Sequence, residues 1–281
     1  MAEKWRYENL RWSEINEAVD KGLIPILPVG TIEQHGPHLP IKMDMWTAQE
    51  IAAEAARRRP DRLLVMPVIP YGFTTHVMDF PGTITVHPET LTRYVVDVLK
   101  SACYHGFKKL TVINGHGSNV PPLELAARRV MLETDAIVSL TSWWPLLATN
   151  EGAIEKWRES EFPGGTGHAG EAESSLGLHL DESLIDMTQA KSELTWTNQQ
   201  KSKFDYVDLF GVGPISISNW TSTYTESGVS GAAELATKEK GKIIFEEAVG
   251  NLIDWADEFH SRRYRPRVDH HSRPPTTDVP G

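Results

Sequence analysis

Between positions 33 and 44 the chain gathers Glu33, His35, His38 and Asp44, two imidazoles and two carboxylates in one short stretch. They follow LIPILPVG (23–30), an apolar run that reads as a buried strand entering a Gly/Pro-rich loop. Side chains two apart in an extended segment share a face, so Glu33 and His35 can present an oxygen and a nitrogen donor together. Such donors hold divalent metal, but a complete site needs ligands from elsewhere in the chain. KKLTVINGHGSN supplies one, with His116 just past the end of a β-branched run. GGTGHAGEAESS supplies His168, Glu171 and Glu173 at the mouth of a predicted helix. In open α/β sheets ligands bind outside the carboxyl ends of the strands, so the three segments point to one metal-binding crevice.

The elements that must position these residues alternate in type. WTAQEIAAEAARRRP places Ala48, Ile51, Ala52 and Ala55 on one helical stripe, which Pro60 closes. LLVMPVIPYG (63–72) reads as the next strand. HPETLTRYVVDVLKSACYHG opens a helix at Pro88, carries Leu91, Val95, Val98, Leu99 and Ala102 at helical spacing, and ends at Gly106. A strand at 109–113, a helix at 120–133, a strand at 136–141 and a final amphipathic helix over roughly 232–260 follow. This order predicts a single α/β domain, a mainly parallel sheet flanked by helices on both faces. The domain is expected to span 1–262, and the Pro-rich 263–281 to form a tail or an arm on a neighbouring subunit.

Composition fits an enzyme of that class. With 281 residues, 40% hydrophobic and 23% charged, the chain is long enough for one large buried core. A formal net charge of −10 argues against nucleic acid and against an anionic membrane surface. The first residues, MAEKWRYENL, lack the apolar region of a signal peptide, so a cytoplasmic location is expected. The single cysteine, Cys103, excludes an internal disulfide framework.

Four motifs, PVGTIEQHGPHLP (28–40) with Asp44 shortly after it, FPGTIT (80–85), NGHGSN (114–119) and GHAGEAESS (167–175), resemble the creatininase (creatinine amidohydrolase) family. The resemblance implies that family's fold and a binuclear centre of two divalent ions, zinc or manganese, held by Glu33, His35, Asp44, His116 and Glu173. It makes Asp44 the bridging carboxylate and His168 the histidine of general acid/base catalysis, and it favours Glu173 over Glu171. His76 and Asp79 fall in a segment that lines the family's active site, and Ser118 and Asn119 are further candidates for binding substrate. The family's hexameric tendency implies a homo-oligomer.

Two departures bear on the substrate. Creatininase has an aromatic residue and then an acid after the histidine of its NGH motif, where this chain has Gly117 and Ser118. It also has a tryptophan shortly before GHAG, where this chain has Phe162-Pro163-Gly164-Gly165. The expected function is therefore hydrolysis of a small polar cyclic carbonyl compound of the oxidised-inositol type (3-dehydro-scyllo-inosose). Hydroxide held by the metals attacks the carbonyl while His168 gives a proton to the leaving atom. The alternatives are an amidohydrolase acting on a cyclic amide or a formylamino-pyrimidine, and a non-catalytic metal- or sugar-binding protein. Gly165 to Gly170 also spell G-x-G-x-x-G, but no strand is predicted before them, which argues against a nicotinamide- or flavin-dependent oxidoreductase. Trp143 and Trp144 are candidates for a pocket wall, and His38 for a residue that orients a ligand.

Overall fold

The computed structural model describes residues 3–195, 201–263, 265 and 267–277. The strands β1 (Ile24–Val29), β2 (Leu63–Val65), β3 (Lys109–Asn114) and β4 (Ile137–Ser142) pair in parallel in the order β2-β1-β3-β4. Around them lie α1 (Trp12–Asp20), α2 (Met43–Arg58), α3 (Pro88–Tyr104), α4 (Val120–Glu133), the single turn α5 (Trp143–Leu146), α6 (Glu171–Asp181) and the long α7 (Lys238–Ser261).

The strand side chains alternate between two cores, as the two-residue period of a strand requires. Ile24, Ile26, Leu63, Val65 and Ile113 face a core shared with Ile51, Leu176, Ile244 and Leu252 of α2, α6 and α7. Leu27, Val29, Leu64, Leu110 and Val112 face the opposite core, with Leu91, Val95 and Leu99 of α3 and Leu123 of α4. The predicted helical stripes are the buried ones, except that Val98 is only partly buried and Val96 takes its place. Trp143 and Trp144 belong to the first core.

Connectivity decides where a ligand can sit. From β1 the chain passes through α2 to β2 on one side; α3 then crosses back to β3, and α4 leads to β4 on the other side. The strand order therefore reverses between β1 and β3, and the crevice outside their carboxyl ends is the topological switch point. A small antiparallel sheet closes over this end, with β5 (Thr166–His168), β6 (Ser192–Glu193) and β9 (Ser230–Ala232) in the order β5-β9-β6. A two-residue hairpin, β7 (Val207–Asp208) with β8 (Gly211–Val212), lies in the same stretch of chain.

The strand expected over 63–72 stops at Val65, and Ile69 only bridges Val29. Pro67 and Pro70 lack the N–H that a continuing ladder needs. The last helix begins at Lys238 rather than 232, because β9 and a short 3-10 turn use 230–235 and Thr237 caps the first turn by accepting from the Lys240 N–H. Gly165 to Gly170 run through an antiparallel strand into α6, not out of a parallel strand, so no dinucleotide-binding turn forms. Among the described residues no helix is long and apolar enough to cross a membrane. Those of 263–277 that are described carry no helix or strand.

Candidate metal centre

Two strand ends and two helix starts build the site. Glu33 and His35 lie in the loop leaving β1, and His116 follows β3. Asp44 is in the first turn of α2 and Glu173 in the first turn of α6, where the helix dipole favours negative charge. The helical segment read from the sequence opens at Trp46; the helix starts earlier, at Met43, and includes Asp44. Glycines permit the close fit. A Cβ on Gly30 would stand 2.3 Å from the Met45 backbone, and one on Gly115 would stand 2.0 Å from the Asp44 carbonyl oxygen. Only glycine at the ends of β1 and β3 lets the start of α2 rest directly on the strands.

Two triads of donor atoms result, each with its atoms within 4.8 Å of one another: Glu33, Asp44 and His116, and His35, Asp44 and Glu173. Asp44 belongs to both. Its Oδ2 lies 3.1 Å from His116 Nδ1 and its Oδ1 lies 3.1 Å from His35 Nε2. Glu33 Oε2 is 3.3 Å from His116 Nδ1, and Glu173 Oε1 is 3.7 Å from His35 Nε2. Despite its distances to Asp44 and Glu173, His35 Nε2 is buried without a hydrogen-bond partner, and so is the other carboxylate oxygen of Glu33, Oε1. Atoms that approach closely but do not point at one another are converging on a shared point, the geometry of ligands around a cation. Two carboxylates and one imidazole in each triad suit zinc or manganese and leave coordination positions open.

Charge makes the same case. Glu33, Asp44 and Glu173 are at most 6% exposed, and their ion-pair partners are histidines rather than Lys or Arg. Burial of three carboxylates is costly unless positive charge is brought among them. Within the protein itself the imidazoles provide it. Burial opposes a proton on His116, but Glu33 and Asp44 outweigh it and raise the ring to about 9. Burial likewise opposes charge on His35, which Asp44 and Glu173 nevertheless hold well above its ordinary value. Burial raises Glu33 to about 7 in spite of His116, whereas His35 and His116 overcome burial at Asp44 and keep it below the usual carboxylate range.

His168 stands at the edge of the cluster. Its side chain is 22% exposed, its ring centroid is 4.4 Å from that of His35, and its Nδ1 is 3.6 Å from Glu33 Oε1. Glu33, His35 and His168 form a third, overlapping triad of donors. Burial, followed by the charge on His35, lowers His168 to about 4. His76 stacks on His116 at 6.1 Å and is likewise lowered to about 4, by burial and then by His116. Ser118 is half-buried beside them.

Other expected residues are placed differently. Asp79 is exposed and accepts a hydrogen bond from Ser222. Asn119 is fully buried, its Oδ1 accepting from Phe73 N at 2.8 Å and its Nδ2 donating to Gly30 O at 3.1 Å. Its amide braces the 72–73 loop against β1, a correction to its candidacy as a substrate contact. Glu171 pairs with Lys240 at 2.7 Å and accepts the Glu159 and Ser160 N–H groups, so it is not among the donors. His38 meets Ser174 Oγ at 2.7 Å, beside Glu173.

Sequence reasoning missed Thr31 and Thr74, which donate to Asp44 Oδ2 and Glu33 Oε2 and so orient both carboxylates. Thr31 was legible, since the alternation that pairs Glu33 with His35 extends back to it. It also missed Tyr224, whose phenol is raised by burial and by the charge of Glu33 and whose hydroxyl lies 3.2 Å from Thr221 Oγ1.

Comparison with known proteins agrees with this geometry. The family model for creatininase, creatinine amidohydrolase, matches residues 8–256. The chain belongs to the creatininase family. It is 28% identical to the creatinine amidohydrolase of Pseudomonas putida over 87% of this chain and 93% of that protein. It is equally 28% identical to the mycofactocin precursor peptide peptidase of Mycobacterium tuberculosis, over 81% of this chain and 82% of the relative. The 3-dehydro-scyllo-inosose hydrolase of Thermotoga maritima is also 28% identical, over 89% and 81%. Among solved structures, a manganese form of creatininase superposes with a TM-score of 0.76 at 26% identity, covering 91% of this chain and 98% of the other. A Zn–Zn form bearing one glutamate-to-glutamine substitution also gives 0.76 at 26% identity, covering 92% and 99%. The protein is a metal-dependent hydrolase of the creatininase family.

Proposed function

We propose that Glu33, Asp44 and His116 hold one divalent ion and His35, Asp44 and Glu173 a second, zinc or manganese, with Asp44 shared. When bound, such ions lower the pKa of a water molecule and polarise a carbonyl group. The chain does the rest. Thr31 and Thr74 fix the carboxylates, and His168, partly exposed with Nδ1 turned to the cluster, delivers the proton that the leaving atom needs.

The substrate we favour is a hydroxyl-rich cyclic carbonyl compound of the oxidised-inositol type. The carrying observation is at Gly117, where creatininase has an aromatic residue. A Cβ there would meet nothing within 4 Å, so the space beside His116 is open. Phe162, in the loop where creatininase carries tryptophan, packs edge-on against Tyr206 at 5.9 Å. A flat ring would lack a lid, while a thicker ring with hydroxyls has room and has His76 and Ser118 to bind it. In hydrolysis of a β-diketone, the water oxygen ends on the attacked carbon and the adjoining carbon–carbon bond breaks. Its electron pair becomes an enolate, which receives, by way of His168, the proton that the attacking water gives up.

The test is turnover per active site on a keto-inosose, creatinine, a simple cyclic amide, a formylamino-pyrimidine and a short peptide, at saturating zinc or manganese. The keto-inosose should be the best of these and creatinine poor. Efficient creatinine hydrolysis would overturn the substrate reading, and activity confined to amides would remove ring cleavage.

A further inference from the structure

Gln34 stands in sequence between two proposed metal ligands, is 6% exposed, and is used at both ends of its side chain. Oε1 accepts the Gly36 N–H at 2.8 Å, and Nε2 donates to Gly228 O at 2.9 Å. Turning the amide over would set two acceptors together at Gly228 and two donors together at Gly36, so its orientation is fixed. The loop it grips is fitted to it. Gly228 has φ +84°, and a Cβ there would stand 2.0 Å from Gln34 Oε1. Two residues later, Ser230 pairs with His168 across β9 and β5.

The main chain of Gln34 meets His168 directly. His168 Nε2 lies 2.9 Å from Gln34 O and 3.1 Å from Gln34 Nε2. The second contact would allow a bare Nε2 to accept from the amide, but the carbonyl oxygen would then face a ring lone pair at the shorter distance. A peptide carbonyl only accepts, so the ring nitrogen facing it carries the proton. In the neutral ring Nδ1 is then bare, and it is turned toward Glu33 Oε1, a buried oxygen with no hydrogen-bond partner.

We propose that Gln34 is the positioning residue that selects the working nitrogen of His168. Its carbonyl holds Nε2–H, its side-chain amide fixes the segment against which β5 pairs, and Nδ1 is left to carry the proton to and from the reacting atoms. The inference rests on the proton-transfer role given to His168 above.

The experiment uses the full chain loaded with zinc, in wild-type form and as Gln34→Met, Gln34→Glu and Gly228→Ala. Gln34→Met removes both amide bonds, Gln34→Glu keeps the acceptor for Gly36 and loses the donor to Gly228, and Gly228→Ala drives a methyl group into an intact Gln34. Zinc content, kcat and KM on the best substrate of the panel, and solid-state ¹⁵N spectra of histidine-labelled protein are compared, with His168→Gln identifying the His168 signals by difference. Wild type should show neutral His168 protonated on Nε2. Gln34→Met should keep two zinc ions and a KM within about twofold, while kcat falls by about 10–100-fold, the scale of a misplaced proton-transfer group. Its His168 signals should become a mixture of tautomers. Gly228→Ala should reproduce the loss in kcat, and Gln34→Glu should fall between. A wild-type spectrum with the proton on Nδ1, zinc loss in step with activity, or undiminished kcat in Gln34→Met would each overturn the proposal. If no compound of the panel is hydrolysed, the functional reading fails, and the ¹⁵N spectra still decide the nitrogen assignment.

Discussion

Loading the donor cluster with zinc should expel protons, in a number set by its electrostatics. At pH 7 His116, raised to about 9, carries nearly a full proton, and Asp44 and Glu173 bias His35 in the same direction against its burial. Glu33, raised to about 7, carries about half of one. Metal ligands must give up these protons, so more than about one should leave when both ions bind, and each proton in competition weakens apparent affinity about tenfold per unit fall in pH. Isothermal titration at pH 7 in buffers of different ionisation enthalpy counts them directly. Stability follows with a definite sign. His116 and Glu33 hold more protons folded than unfolded in the metal-free protein, so their contribution is complete below 6.5 and 4.5 and is lost as pH rises through about 9 and about 7 respectively. For His116 alone the rise from 6.5 to about 9 corresponds to on the order of 3 kcal/mol. Metal takes over the compensation of the same carboxylates, so the gap between the melting temperatures of zinc-loaded and chelator-treated protein should widen from pH 6 to pH 9. Release of fewer than about one proton at pH 7, or a gap that narrows over that range, would refute the proposal that the ions displace these protons.

Three substitutions separate the roles within the cluster. Asp44→Ala should cost both ions, because Asp44 belongs to both triads, whereas Glu33→Gln should weaken chiefly one; two full equivalents in Asp44→Ala by elemental analysis would end its bridging assignment. His168→Ala should keep its metal and lose about two to four orders of magnitude in kcat, while His116→Ala should lose metal; equal metal loss in both would make His168 a ligand. Gly115→Ala places a Cβ 2.0 Å from the Asp44 carbonyl oxygen, so it should cost about 1–3 kcal/mol in denaturant unfolding and lower metal content without touching a ligand. Wild-type metal content in Gly115→Ala would show that the start of α2 does not need its seat on the strand ends.

The main sheet and its helices were legible because their signals are long. The helix predicted at 120–133 is the observed α4, and Pro88 opens α3. The donor residues were legible as well, because each ends an apolar run or opens a helix, and five of them do meet in one cluster. Short elements escaped. Thr166–His168, Ser192–Glu193 and Ser230–Ala232 have two or three residues each, too few to show any period, and Gly and Ser lower their strand propensity. Partnership escaped too. Glu171 and Glu173 are alike in type and two apart in sequence; the family resemblance favoured Glu173 as the donor, but that Glu171 pairs with Lys240 emerged only in the fold. Asn119 looked free because nothing in NGHGSN reveals that Phe73 and Gly30 lie on either side of its amide.

The donors and the loops around them are held by different parts of the fold. The donors sit on strand ends and helix starts, where a displacement of α2 or α6 would disturb the core they share with α7 and the small cluster of Leu39, Met43, Trp46 and Val229. The walls have a different origin. His76 and Asp79 come from the 72–85 loop, Phe162 from the 159–165 loop, and Ser222 and Tyr224 from the segment before β9. These walls are tied to one another, as Asp79 is to Ser222, and to the frame at a few points such as Asn119, Glu171 and Gln34. Loops anchored in this way can change shape and side chains between anchors without moving the donors. Relatives whose names give creatinine, a precursor peptide and an oxidised inositol as substrates are all 28% identical to this chain, so overall similarity does not rank those substrates. On the substrate reading proposed above, the groups that would rank them are His76, Ser118, Tyr224 and the open space at Gly117.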